Sequence, residues 1–184
     1  MDFSYINFLQ KVAKMVAPSG NEKEVLDLWS NEISAYVSDT YSTSLGNVVA
    51  VKHGTCDCRK KIMLTAHADE IGLIITYIDN DGFLYFNEIG GIDTNLLPGK
   101  VVSIKGINGL IDGVIGVKPI HLQERGNNKQ NLSPEDLWID INVKDKEEAL
   151  ELVQIGCVAT LTSDFLVRGS RITGKAMDNR CSLA

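Results

Sequence analysis

Three ionisable residues, His67, Asp69 and Glu70, stand close together in the segment 65–72, which reads TAHADEIG. This segment directly follows an apolar run at 62–64 that is typical of a buried strand. An imidazole can bind a metal ion through one ring nitrogen, while a carboxylate two residues on holds the other ring N–H and fixes the tautomer. The pattern leaves two interpretations open: a metal ligand oriented by Asp69, or a strand-end histidine that only makes hydrogen bonds.

A second candidate segment, 174–180, reads GKAMDNR and contains Asp178. From the residues alone, Asp178 is a possible ligand, a helix cap or a partner of Arg180. Glu70 is either a catalytic acid or an exposed carboxylate at a strand end. His121 follows another apolar stretch, and a hydrogen bond within a loop is the simplest interpretation for it.

The composition excludes several classes of protein. The chain has 184 residues, 44% hydrophobic and 23% charged, as in an ordinary globular protein. Its formal net charge of -6 and lack of a basic stripe argue against nucleic-acid binding. The N-terminus has no secretory pattern and no apolar stretch reaches the ~20 residues of a membrane span. We therefore expect a cytoplasmic protein that binds neither membrane nor nucleic acid, with four reduced cysteines: Cys56, Cys58, Cys157 and Cys181.

The elements that would position these residues begin with two helices. Apolar residues recur at three- and four-residue steps from Phe3 to Val16, and the motif 18–20 (PSG) ends that helix. Ser19 and Glu22 have the spacing of a capping box and predict the start of a second helix. Its predicted buried face contains Val25, Leu28, Trp29, Ile33 and Val37.

Strands follow the helices. We expect a hairpin formed by 47–51 and 61–66 around Gly54, and a second one formed by 73–78 and 83–86 around Asp81-Gly82. Further short strands are predicted at 100–105, 110–111, 114–117, 137–143 and 158–162, with a helix at 145–153 capped by Asp145. Such short strands favour a small barrel or sandwich. The predicted organisation is an α/β layer over 1–69, a β-rich insert over 70–163 containing a loop at 121–131, and a return to the first layer over 164–184.

Seven short motifs then occur in a fixed order along nearly the whole chain: 18–22 (PSGNE), 45–47 (LGN), 64–72 (LTAHADEIG), 89–91 (IGG), 97–99 (LPG), 113–121 (GVIGVKPIH) and 174–180 (GKAMDNR). Together they resemble the N-terminal half of the M42 family of metallo-aminopeptidases. This is the glutamyl-aminopeptidase-like and tetrahedral-aminopeptidase group, some members of which have carried the label endoglucanase.

The resemblance implies an α/β fold, with part of a phosphorylase/hydrolase-like catalytic layer and an inserted, PDZ-like small β-barrel for oligomerisation. It implies that His67 is a terminal ligand for one of two divalent ions, zinc or cobalt, and that Asp178 bridges them. Asp69 would orient His67. The implied partners are a peptide substrate and further copies of the chain, as dimers and up to a dodecamer.

The family's other site residues are a Glu-Glu pair, containing the general base, followed by an aspartate and a histidine ligand. They lie downstream of the motif that contains Asp178, and the sequence ends at Ala184. We therefore expect a piece of a longer two-metal aminopeptidase that is inactive by itself. The alternatives are a non-catalytic assembly fragment and a glycosidase that uses Asp69 or Glu70 with Asp178 as paired carboxylates.

Overall fold

The structure, a computed structural model, describes residues 3–55, 60–118 and 132–184. Its helices are α1 (Phe3–Lys14), α2 (Lys23–Ile33), α3 (Lys146–Leu152) and a short turn, α4 (Met177–Arg180). Its strands are β1 (Asp39–Ser42), β2 (Val48–Val51), β3 (Gly72–Ile78), β4 (Leu84–Ile89), β5 (Val101–Gly106), β6 (Gly109–Val117), β7 (Leu137–Asp140), β8 (Val158–Leu161), β9 (Leu166–Arg168) and β10 (Arg171–Thr173). Within these described ranges, no helix is long and apolar enough to cross a membrane.

The two N-terminal helices form where the apolar periodicity predicts them. Helix α1 buries the face that contains Leu9 and Val12, at 4% and 0% exposure, so its predicted core role is confirmed. Of the predicted face of α2, Val25 is buried, whereas Leu28 and Trp29 are half-buried. Helix α2 therefore packs more loosely than its amphipathic pattern suggests.

The predicted hairpin around Gly54 is wrong. Strand β2 pairs instead with β1, and the described residues 60–69 form no strand. The side chains of Ile62, Met63 and Leu64 are 89%, 85% and 92% exposed. An apolar run becomes a strand only when a neighbouring strand accepts its backbone hydrogen bonds, and no described strand lies beside this one. The periodicity identified an apolar segment but could not supply its partner.

The predicted small barrel is confirmed. Six strands close in the order β3-β4-β7-β6-β5-β8, and all neighbouring strands are antiparallel. Inward-facing side chains fill the centre, among them Leu73, Ile104 and Ile139, all fully buried. The predicted strands at 110–111 and 114–117 are a single strand, β6. The predicted helix before β8 is α3, where the Asp145 side chain caps by accepting a 2.9 Å bond from Glu148 N–H.

The chain enters and leaves the barrel through neighbouring strands. Leu73 in β3 is opposite Ala159 in β8, so the two ends of the barrel segment lie side by side. A bridge between Pro18 and Glu70 joins the loop after α1 to the segment just before β3. The α/β fold thereby brings the segments before and after the barrel, which contain His67 and Asp178, close to the end of α1.

Candidate metal centre

The imidazole of His67 lies between two carboxylates. Its Nε2 is 3.1 Å from Oδ1 of Asp178, and its Nδ1 is 2.8 Å from Oδ1 of Asp69. The His67 side chain is 53% exposed and that of Asp178 is 94% exposed, whereas that of Asp69 is 31% exposed. The structure thus brings together all three predicted site residues, with Asp69 on the more buried side of the ring.

The charge arrangement favours a cation between His67 and Asp178. Partial burial lowers the pKa of His67, but the hydrogen bonds and negative charges of Asp69 and Asp178 together outweigh it and raise the pKa. A proton on Nε2 then occupies the space between an imidazole nitrogen and a carboxylate oxygen. These are the donor types that zinc and similar divalent ions take, so the residues present fit part of a metal site.

Ser19 supports Asp69 from behind. Its hydroxyl donates to Oδ2 of Asp69, and this bond is the largest cause of the lowered pKa of Asp69. Burial by itself would raise the pKa of Asp69, whereas the hydrogen bond and charge of His67 lower it further. The predicted capping box is therefore wrong: Glu22 is the N-cap of α2, and its carboxylate accepts a 2.7 Å bond from Gly20 N–H. The Ser19 hydroxyl bonds a distant carboxylate, which local spacing could not reveal.

Glu70 matches neither of its two predicted roles. Its side chain is 6% exposed and pairs with Lys175 Nζ at 2.7 Å and with Arg180 Nη1 at 3.1 Å. Arg180 therefore pairs with Glu70, and Asp178 makes no cap bond, since the N-cap of α4 is Ala176 in the left-handed region at φ 56°. The Asp178–Asn179 peptide bond is cis. The sequence reasoning missed the contacts that Ser19, Lys175 and Arg180 make; the signal available for Lys175 and Arg180 was that they flank Asp178 within one motif.

Within 3–55, 60–118 and 132–184, no group of three or more His, Cys, Asp or Glu residues is placed to hold a metal ion jointly. His53 Nε2 lies 3.7 Å from Asp39 Oδ2 in a separate pair, in which the two side chains are 73% and 69% exposed. The segment that contains Cys56 and Cys58, and the loop that contains His121, lie outside the described residues. The described site therefore consists of one imidazole, one exposed carboxylate and their supporting residues.

Known proteins resemble this chain over almost all of its length. The sequence model of the M42 glutamyl aminopeptidase family matches residues 46–184. A putative aminopeptidase of Acetivibrio thermocellus is 38% identical over 178 residues, covering 97% of this chain and 51% of the relative. The chain thus spans about half the length of the curated relatives it matches.

Solved structures of aminopeptidases also share the fold of this chain. A TET aminopeptidase from a marine-sediment Thaumarchaeota archaeon superposes with a TM-score of 0.89 at 29% identity, covering 97% of this chain and 50% of that one. The TET1 peptidase of Pyrococcus horikoshii, which can assemble into a tetrahedron or a large octahedral shell, superposes with a TM-score of 0.83 at 35% identity. That match covers 98% of this chain and 53% of the TET1 chain.

Proposed function

The chain belongs to the M42 glutamyl aminopeptidase family, and on that premise we propose that it forms part of a two-metal aminopeptidase that removes N-terminal residues from peptides. The observation that carries the proposal is the 3.1 Å approach of His67 Nε2 to Asp178 Oδ1, with the other ring nitrogen held by Asp69. An imidazole oriented by a buried-side carboxylate is the usual arrangement of a metal-binding histidine.

We assign each site residue a separate role. His67 would be a ligand of one ion, and Asp178, which is exposed, would be the carboxylate shared by the two ions. Asp69 would keep Nδ1 protonated and point Nε2 at the ion, while Ser19 holds Asp69 in place. When bound, two divalent ions such as zinc or cobalt polarise the peptide carbonyl and activate the attacking water.

We further propose that the 184-residue chain has no aminopeptidase activity by itself. One imidazole and one shared carboxylate are too few donors to hold two ions against water, and the described residues contribute no larger group. The general base would also have to come from outside the residues assigned here. The chain alone would therefore bind one ion weakly and turn over no substrate.

The barrel is our candidate for self-association. We propose that residues 70–163 form a PDZ-like oligomerisation domain, and that 1–69 and 164–184 belong to a phosphorylase/hydrolase-like catalytic layer. The assembly of the TET1 peptidase supports an oligomer, and Val101, Leu110 and Val114 expose 43%, 63% and 46% of their surface on the barrel. A dimer, and a dodecamer built from dimers, are the expected states; the cytoplasmic location stays a prediction.

A glycosidase is less well supported by the geometry. Paired catalytic carboxylates flank a cleft, with ~5–10 Å between them for the sugar. Here Asp69 and Asp178 both bond the same imidazole, one on each nitrogen, and Glu70 is buried in ion pairs. Asp69 and Asp178 therefore bond His67, and Glu70 is held in ion pairs. These three carboxylates do not provide the unpaired general acid and base that a glycosidase needs.

The test is an activity assay on a protein that contains this sequence and has the full length of its relatives. Release of amino acids from chromogenic aminoacyl substrates should require Zn²⁺ or Co²⁺, stop with chelator, and be lost in His67→Ala. A matched control is His53→Ala, which removes an exposed imidazole outside the site. Activity that resists chelator, or that survives His67→Ala, would refute the proposal.

A further inference from the structure

Arg180 is a fully buried cation, and all three nitrogens of its guanidinium group make hydrogen bonds. It is 0% exposed, and each of its side-chain nitrogens donates to a backbone carbonyl at 2.7–3.1 Å. The accepting carbonyls belong to Val12, Met15, Ala17 and Ala68. Because a guanidinium presents its N–H groups in a rigid planar fork, these bonds fix the orientation of the side chain as well as its position.

The surroundings of Arg180 compensate its charge in an unusual way. Two cations, Arg180 and Lys175, face the single carboxylate of Glu70. The balance comes from carbonyls in the last turn of α1 and just after it, where the partial negative charge of a helix C-terminus is concentrated. Replacing buried ion pairs by apolar side chains is often neutral or stabilising, so stability alone does not explain a cation at this position.

The position of Arg180 in the chain suggests what the cation does. Its Nε donates a 2.7 Å bond to the carbonyl of Ala68, the residue between His67 and Asp69. Arg180 itself stands two residues after Asp178. One side chain therefore ties the segment that holds the imidazole to the segment that holds the opposing carboxylate, although the two are separated by 111 positions.

We propose that Arg180 is a positioning residue that sets the separation of His67 and Asp178 through its bond to the Ala68 carbonyl. The inference rests on the proposed function, in which one metal ion contacts both His67 and Asp178. The separation of these two side chains decides whether one ion can contact both. The guanidinium bonds backbone carbonyls and Glu70, so it would act through the backbone that carries His67 and Asp178.

The test compares Arg180→Lys with a control inside the same buried cluster. Lysine keeps the charge but cannot reach the carbonyls of α1 and of Ala68 together. The control is Thr160→Val, which removes the 3.0 Å bond that Lys175 Nζ donates to the Thr160 hydroxyl but leaves every hydrogen bond of Arg180 in place. Both variants of the full 184-residue chain are crystallised and titrated with Co²⁺, and their unfolding temperatures are measured.

For Arg180→Lys we expect the distance between His67 Nε2 and Asp178 Oδ1 to grow from 3.1 Å by ~1 Å or more. Co²⁺ affinity should fall about tenfold or more, with a changed visible spectrum. Thr160→Val should lower the unfolding temperature and leave distance, affinity and spectrum unchanged. An unchanged distance in Arg180→Lys, or equal changes in both variants, overturns the proposal.

A rescue experiment with Arg180→Ala and a metal-binding control with His67→Ala complete the test. If Arg180→Lys does not fold, Arg180→Ala is compared with added guanidinium and with added methylammonium; only guanidinium should restore the His67–Asp178 distance, and its failure to do so overturns the proposal. Absence of Co²⁺ binding by the unaltered chain, or binding that survives His67→Ala, counts against the proposed function instead. The crystallographic distance still decides the role of Arg180 in that case.

Discussion

His67 Nε2 and Asp178 Oδ1 lie 3.1 Å apart across the ends of a β-barrel that separates them in the sequence. Both side chains are exposed, so their approach is not enforced by burial of the side chains themselves. It depends on the backbones behind them, which are held by the buried cluster of Glu70, Lys175 and Arg180. Substitutions at the exposed pair and substitutions in the cluster behind it can therefore be tested separately.

Asp69→Asn should weaken metal binding without unfolding the chain. An amide cannot stabilise the Nδ1–H of His67 as a carboxylate does, so Co²⁺ affinity should fall roughly 10- to 100-fold. The matched control is Asp39→Asn, which removes the carboxylate beside His53 in an exposed pair. Equal Co²⁺ titration curves for Asp69→Asn and the unaltered chain would contradict the orienting role of Asp69.

The protonation of His67 should depend on Asp178. Without metal, the NMR titration midpoint of His67 should lie above the usual pKa of 6.5, and in Asp178→Asn it should move down towards that value. Because the pKa is raised in the folded state, the proton stabilises the fold fully below pH 6.5, and this stabilisation is lost as pH rises through the raised pKa. Metal binding displaces the same proton, so Co²⁺ affinity should increase with pH over this range. An unmoved midpoint in Asp178→Asn would contradict this account.

Glu70→Gln should destabilise the chain strongly. The substitution keeps the shape of the side chain but leaves two cations, the fully buried Arg180 and the Lys175 side chain at 15% exposure, without their carboxylate. Breaking a buried pair from one side costs about 3 kcal/mol or more, which lowers the unfolding temperature by roughly 6–12 °C for a chain of this size.

The control for Glu70→Gln is Asp27→Asn, which breaks the Lys23–Asp27 pair, where the two side chains are 84% and 57% exposed. Such exposed helix pairs contribute about 0.3–0.5 kcal/mol, so thermal unfolding should barely change. Similar losses in the two variants would mean that the buried cluster is not a main source of stability.

Gly72→Ala should destabilise the junction between barrel and helices. A Cβ at this position would lie 2.7 Å from the Ala159 carbonyl oxygen and 2.7 Å from Pro18 Cβ. Because a backbone oxygen and a proline ring cannot move aside easily, we expect a loss of about 1–3 kcal/mol in denaturant unfolding. Gly91→Ala, where a Cβ would meet nothing within 4 Å, should be neutral or slightly stabilising. The opposite order would show that the close contact at Gly72 is absent in solution.

Leu64→Ala should have almost no effect on the stability of this chain. Leu64 is 92% exposed, and exposed substitutions usually change stability by less than about 0.5 kcal/mol. The same substitution at Leu73, which is fully buried in the barrel, should cost about 2–5 kcal/mol. A large loss in Leu64→Ala would restore the original prediction of a buried strand at 61–66.

The features predicted correctly from sequence depend on neighbours in the chain. The β3–β4 hairpin follows from Asp81-Gly82, because glycine readily takes the positive φ of 87° found at Gly82. The start of α3 follows from Asp145, whose side chain needs only the next turn of helix. Many such short signals predicted a small barrel or sandwich, and the structure has the barrel.

The errors share a different origin, which is dependence on a distant partner. The run at 62–64 has the composition of a strand but no described strand beside it. Ser19 has the spacing of a cap, yet its hydroxyl bonds Asp69, 50 positions away. The roles of Glu70 and Arg180 depend in the same way on contacts between segments on either side of the barrel. No local pattern encodes these contacts. Sequence reasoning could therefore name His67, Asp69 and Asp178 as candidate site residues but not the residues that support them.

The side-by-side placement of β3 and β8 has a consequence for how the site is assembled. Once the barrel has closed, its first and last strands are adjacent, so the chain between His67 and Asp178 behaves as a much shorter loop than its 111 positions. By the logarithmic dependence of loop-closure entropy, this shortening removes on the order of 1 kcal/mol from the cost of bringing the two side chains together. Insertions or deletions within the barrel that keep its terminal strands paired should therefore leave the geometry of the site unaffected.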